Sequence, residues 1–177
     1  MTQPRPAASA AAPPPPGRYR IDPARTTVRV DVQAMFGLMK VHGTFRLRDG
    51  EVQIAADPGQ SSVRLIIDAG SFTSGLGVRD ADVLSPALLD APDYPDIVFA
   101  GRGPRPDGSG WLLPGTVTAH GVTDPVEVRL ALSAVEDGVV RFHAAATLDR
   151  TRFGITKKKG MVGRTVDLTV EAACLPA

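Results

Sequence analysis

Cysteine is nearly absent. Cys174 is the one thiol in 177 residues, so no internal disulfide can form and the fold must stand on its core. Aromatics make up only 5%, so that core is built chiefly from Val, Leu, Ile and Ala. Neither sign of charge is in excess. Lys and Arg number 20 against 19 Asp and Glu, a formal net charge of +1, which argues against a dedicated nucleic-acid or acidic-substrate binder. No stretch approaches the roughly twenty apolar residues of a membrane span. The opening "MTQPRPAASAAAPPPP" holds no Leu, Ile, Val or Phe, and a secretory signal needs an apolar run of about seven to fifteen residues. Residues 1–17 therefore read as a disordered Ala/Pro-rich leader, followed by one domain over 18–177. A cytoplasmic location is the matching expectation; a Pro-rich docking peptide is the sharper alternative for the leader.

Motifs for catalysis are missing as well. There is no GxSxG, and no Walker or dinucleotide glycine motif follows a strand and opens a helix. The three histidines, His42, His120 and His143, share no metal-ligand spacing. Asp80, Asp82, Asp90, Asp93 and Asp96 lack the regular loop of an EF-hand and read as helix caps and a solvated face. In "KKKGMVG" the GxxG runs into a strand rather than sitting between helices, so it reads as a solvated basic loop. A rim patch for a phosphate headgroup or an anionic membrane surface is the alternative there. No enzyme, cofactor or metal is expected.

What the chain does have is a period of two. "TTVRVDV" puts Val28, Val30 and Val32 on one face. "SSVRLIID" does so with Val63, Leu65 and Ile67, and "PVEVRLALS" with Val126, Val128, Leu130 and Leu132. "VVRFHAAATLD" aligns Val140, Phe142, Ala144, Ala146 and Leu148; "TVDLTVEAAC" aligns Val166, Leu168, Val170, Ala172 and Cys174. Such alternation marks antiparallel strands with one wet face. On that phase Cys174 is a small buried hydrophobe. Asp49-Gly50 predicts a hairpin, and "ADPGQS", "RPDGSG" and "EDGVV" carry further turn residues. Short helical segments are expected near 34–39 and 79–91, the latter in two pieces with Ser85 as N-cap and Pro86 opening the second. His120 falls at a strand end, with Gly121 free to take φ > 0 and Asp124-Pro125 turning the chain before the next strand. About eight strands remove their edges best by closing into a barrel. Inward rows of Val, Ala and Gly leave room inside it.

"YRIDPARTTVRVDV", "HGTF", "RDADVL", "YPDIVF", "HGVTDPVEV", "DRTRFGI" and "VGRTVDLTV" occur in an order that resembles the YceI-like family, over Arg18 to Cys174. The resemblance implies an all-β, lipocalin-like antiparallel barrel of about eight strands around a long apolar channel. It implies a polyisoprenoid or other long-chain lipid as partner, no catalytic mechanism, and a homodimer in some members. Positions matching the pattern include Asp22, Arg79, Asp80, Tyr94, Pro95, Phe99, His120, Gly121, Thr123, Asp149, Phe153 and Gly154. Two departures stand out: Arg25-Thr26 replaces a usual His-Ser, and Ala34 stands where a second His often does.

Burying a methylene is worth about 0.8 kcal/mol and association costs roughly 4–15 kcal/mol. A cavity of this kind therefore holds chains of about fifteen carbons or more and selects on length and bulk. Phase and the expected helical lid nominate Val28, Val30, Phe36, Leu38, Phe45, Leu84, Leu88, Ile97, Phe99, Phe142 and Phe153 as lining, with Arg79 and His120 at the rim. The leading reading is carriage, storage or sequestration of a lipid. A filled barrel that serves as a protein-interaction module, or an enzyme with His120 as acid or base facing the channel, are the competing ones.

Overall fold

A computed structural model describes residues 14–177. The alternating runs become ten strands: β1 (Gly17–Ile21), β2 (Thr27–Ala34), β3 (Met39–Ile54), β4 (Ser62–Thr73), β5 (Asp96–Arg102), β6 (Arg105–Asp107), β7 (Gly110–Ala119), β8 (Val122–Glu136), β9 (Val139–Asp149) and β10 (Val162–Pro176). One α-helix, α1 (Gly77–Leu84), follows β4. The sheet runs β10-β2-β3-β4-β5-β7-β8-β9 and returns to β10, closing an antiparallel barrel of eight strands. The expected leader lies mostly outside the described residues; β1 already begins at Gly17, and the Tyr19 hydroxyl donates to the Pro15 carbonyl at 2.7 Å.

β1 and β2 share one slot. β1 pairs with the ends of β3 and β10, and β2 pairs with their remainder. Between them a 3-10 turn, Pro23–Arg25, interrupts the strand. Asp22 caps it by accepting the Ala24 N–H at 2.9 Å. The Asp22 N–H donates to the Ala173 carbonyl, and the Ala173 N–H donates to the buried Thr26 hydroxyl at 3.2 Å. The interruption is thus sewn to β10 on both sides.

Four local expectations are corrected. Asp49-Gly50 makes no hairpin: β3 passes straight through it, and its pairing with β4 slips between Leu47 and Asp49. The glycine serves packing there, because a Cβ on Gly50 would come within 2.9 Å of Ile21 Cδ1. Residues 35–38 are the turn joining β2 to β3 rather than a helix. Ala34 and Met39 already pair, so the chain must reverse between them. Met35 and Phe36 take φ of 50° and 58°, and Gly37 takes 84°.

The second helical piece after Ser85 is a run of turns. Ser85 is the C-cap of α1, donating its hydroxyl to the Asp82 carbonyl at 2.6 Å. The Leu89 and Ala91 N–H groups take the carbonyls of Val83 and Leu84, which folds the chain back on the helix end. Finally, the reversal near His120 is shorter than expected. His120 and Gly121, with φ of 52° and 73°, form the whole turn. Asp124 and Pro125 lie inside β8, paired with Val117 and Thr116. Proline is tolerated because β8 pairs with β9 only from Arg129 onward, so Pro125 has no second neighbour needing its N–H.

The inward rows form one core, with Val28, Val140 and Cys174 at its most buried points. Burial pushes the Cys174 thiol up to about 12, since its thiolate would sit among apolar side chains.

Two measurements test this packing. Gly50→Val is expected to lower stability by roughly 1–3 kcal/mol through overpacking on Ile21, read by denaturant unfolding. Gly77→Ala, where a Cβ meets nothing within 4 Å, should leave stability unchanged or raise it by up to about 1 kcal/mol. Cys174 should resist iodoacetamide in the native protein at neutral pH and react fully once the chain is unfolded. Rapid native labelling would show the thiol to be accessible.

Candidate functional site

Small side chains on β9 and β10 and a hollow between the walls leave two adjoining cavities inside the barrel. The larger, about 630 Å³, lies at the end that carries the β2–β3 turn, α1 and the loop before β10. The smaller, about 130 Å³, lies deeper, toward Ile21 and Cys174. They share walls at Ile67, Ile97, Val117, Leu148 and Leu168. The deeper chamber is lined by apolar residues alone, with Phe99, Phe142, Ala144 and Ala146 among them. In the larger one Phe45 and Phe72 meet at 5.3 Å with their rings tilted by 56°. Phe72 lies across Gly43, whose missing side chain makes the space: a Cβ there would come within 2.3 Å of the ring.

Charged groups gather only in the outer cavity: Arg79, Asp82, Arg150 and Lys158. Lys158, from the loop, pairs with Asp82 of α1. Asp80 fastens the start of α1 to the end of β4. It accepts the Ser74 N–H at 2.9 Å and hydroxyl at 2.6 Å, and the Thr73 hydroxyl at 3.2 Å. The Ser74 hydroxyl chiefly holds its carboxyl below the usual range, with Arg79 adding a smaller attraction.

Arg150 is buried and bonds no carboxylate. Its guanidinium donates to the carbonyls of Gly163, Ile155, Lys157 and Val162 at 2.8 to 2.9 Å. It thereby clamps the loop that carries the lysine triplet to the start of β10. Burial lowers its pKa, and neighbouring Asp149 opposes that. Asp149 is itself held low by the Thr151 hydroxyl and by Arg164.

Of the expected lining residues, Val30, Phe45, Arg79, Leu88, Ile97 and Phe153 face the larger cavity and Phe99 and Phe142 the deeper one; Ile97 touches both. Val28 is elsewhere, fully buried in solid core. Phe36 and Leu38 are 79% and 85% exposed, because the hairpin turn carries them outward where a helix would have turned them in. Leu84 does not line either cavity; Val83, one step along α1, does. His120 stands at the mouth end next to lining Ala119, yet off the cavity wall. Its Nδ1 donates to the Phe153 carbonyl at 3.1 Å, and its ring packs against Tyr94 with centroids 4.8 Å apart and planes tilted by 54°. It makes no hydrogen bond to a carboxylate, so the acid–base pair of the enzyme reading does not form.

The acidic set disperses: Asp80 and Asp82 are engaged as above, and Asp96 pairs with Arg48 at 3.1 Å. Arg25, at the first family departure, pairs with Asp22 on the surface, while Thr26 does buried structural work. Ala34, at the second, lines the larger cavity, so the lost histidine removes a polar group from the mouth.

Sequence reasoning missed Phe72, Met35, Met39, Met161 and Arg150. Phe72 was hidden by a phase slip. β4 alternates inward at Leu65, Ile67 and Ala69, then an irregularity opposite Arg46 shifts the row. The Ser71 hydroxyl fills the gap by accepting the Arg46 N–H at 2.7 Å. Arg150 carried a usable signal, since it begins the turn in "DRTRFGI".

A larger concavity, about 1110 Å³, spreads over the outer face of β1, β3, β4, β5 and β7 among Arg18, Arg20, Glu51, Arg64 and Arg102. It is more polar than the chambers inside the barrel and lies on their outside, so those apolar chambers are the better small-molecule site.

Comparison with known proteins agrees with this architecture. A UPF0312 protein of Enterobacter sp. (strain 638) is 27% identical over 159 residues, covering 86% of this chain and 83% of its own. The protein YceI of Escherichia coli O157:H7 is 26% identical over the same span. Among solved structures, BcnA of Burkholderia cenocepacia superposes with a TM-score of 0.79 at 20% identity, covering 86% of this chain and 98% of its own. A polyisoprenoid-binding domain from Saccharophagus degradans, implicated in plant cell wall breakdown, gives 0.72 at 14% identity, covering 90% and 98%. The YceI-like domain model matches residues 19–174, nearly the whole barrel, and the chain belongs to that family.

Proposed function

We propose that this barrel holds one long apolar or amphiphilic lipid, polyisoprenoid-like in its bulk, for carriage, storage or sequestration. One observation carries the reading: an apolar chamber inside the barrel, with its charged lining groups at one end. The larger cavity falls within the roughly 300–1,000 Å³ of small-molecule sites. The Saccharophagus neighbour, a polyisoprenoid-binding domain on the same fold, supports the ligand class.

The charged groups at one end support one orientation for such a ligand. Its chain lies against Phe142, Ala144 and Phe99, and its polar end stays near Arg79, Lys158 and Arg150. Binding rests on chain burial at about 0.8 kcal/mol per methylene. The wall offers no matching set of hydrogen bonds, so discrimination falls on length and girth. The chamber of about 630 Å³ favours this reading over a filled barrel.

Organic extraction of purified protein followed by mass spectrometry should recover a long-chain lipid, or the protein should take up a fluorescent long-chain probe. Ala146→Phe, which fills the deep chamber, is expected to weaken long-chain binding at least about tenfold. A short-chain probe seated in the outer cavity should be affected far less. No co-purifying lipid together with no uptake would sink the reading.

A further inference from the structure

The mouth of the larger cavity carries apolar side chains that a soluble barrel has no need to expose. Phe36, Leu38 and Val78 are 79%, 85% and 83% exposed, and Met35, Met39, Leu76 and Met161 are about half exposed. They come from three segments: the β2–β3 turn, the start of α1 and the loop before β10. The turn and the loop touch, and Lys158 of the loop pairs with Asp82 of α1. The Met35 and Phe36 N–H groups donate to the carbonyls of Met161 and Gly160 at 2.9 and 2.6 Å. The Phe36 ring rests on Gly160, where a Cβ would come within 2.4 Å of it.

The turn is also an unusual one. Two bulky apolar residues, Met35 and Phe36, sit at φ near +50° to +60°, where Asn or Gly is the ordinary choice. Backbone strain and exposure of an aromatic tip are both accepted at this one place. Beside it the exposed Lys157 and Lys159 stand on the loop that Arg150 clamps, and Lys40 stands on the outer face next to Met39. The two acids of α1 are already engaged: Asp80 with Ser74 and Thr73, Asp82 with Lys158.

We propose that this end of the barrel docks on an anionic lipid bilayer. Phe36, Leu38 and Val78 insert among the headgroups, while Lys40, Lys157 and Lys159 meet the lipid phosphates, so that the cavity mouth opens toward the acyl region. Apolar tips ringed by lysines match such a surface in both polarity and sign. A symmetric contact between two copies fits less well, because it would bring two lysine loops into one interface. The proposal rests on the chain-binding reading of the cavity, for which docking supplies the route of loading.

The test is flotation of the full chain with vesicles of phosphatidylcholine and phosphatidylglycerol in equal parts, beside pure phosphatidylcholine vesicles. Uptake of cis-parinaric acid without vesicles is measured in parallel. Wild type should float with the mixed vesicles and much less with the neutral ones. Phe36→Asn combined with Leu38→Ser should cut the bound fraction at least about tenfold and leave probe uptake unchanged. Asn suits the positive φ, so this variant is expected to fold. Lys157→Glu with Lys159→Glu should abolish the preference for the anionic vesicles. Probe uptake without flotation would overturn docking and leave the cavity reading standing. A wild type that takes up no probe would overturn the cavity reading, and the proposal with it. A change in sedimentation mass of the Phe36→Asn, Leu38→Ser variant, with no vesicle binding by wild type, would assign the face to a second copy instead.

Discussion

A sheet of eight strands remains a barrel only while its two edges are joined, and here both edges meet in β10. That strand pairs with β9 along one side and with β2 and then β1 along the other. Its inward row, from Val166 to Cys174, is therefore shielded by neighbours on both flanks. The interior exists because of this seam: an open sheet of the same residues would expose two apolar rows and an unpaired edge. Its weakest point is the start, where the pairing with β2 slips between Val162 and Val166. Arg150 holds that point through backbone carbonyls alone. A guanidinium fits the task because it offers five donors in a fixed fork and stays charged.

The barrel was legible because its strands are long and wet on one face. The period-two rows from Val28 to Val32, Val126 to Leu132 and Val140 to Leu148 read directly as a wall. What stayed hidden lies where the backbone departs from local preference. Asp49-Gly50 is a strong turn pair that a sixteen-residue strand overrides. The glycine there answers to Ile21, a contact remote in sequence. "AMFGLM" has the composition of a helix, yet strand pairing on both sides forces a reversal. No propensity scale places Phe at positive φ. The site followed the same division: wall residues such as Ile97 and Phe142 came from phase, whereas Phe72 lay beyond a bulge and Arg150 drew its role from carbonyls that only the folded loop presents.

Polarity divides along the barrel axis. The deep chamber offers a ligand dispersion and dryness. The outer chamber adds a few charges, most of them satisfied by protein groups. A hydrocarbon chain thus meets no group it must leave unpaired, and a polar end meets groups that water can reach. His120 belongs to neither zone. Packed against Tyr94 and tied to Phe153, it fixes the β7–β8 corner against the turn after β9, an architectural role for the one histidine of its motif.

Helix α1 contains no fully buried residue. Its ends are fastened by contacts at the surface: Asp80 to Ser74 on one side, Asp82 to Lys158 on the other. Such contacts exchange readily with water and are weak individually. α1 takes no part in the barrel's ladder, so loosening it would cost these contacts and the packing of Val83 but leave the ladder intact. The closure of this end and the persistence of the fold therefore rest on different residues, one set in α1 and the other in β10.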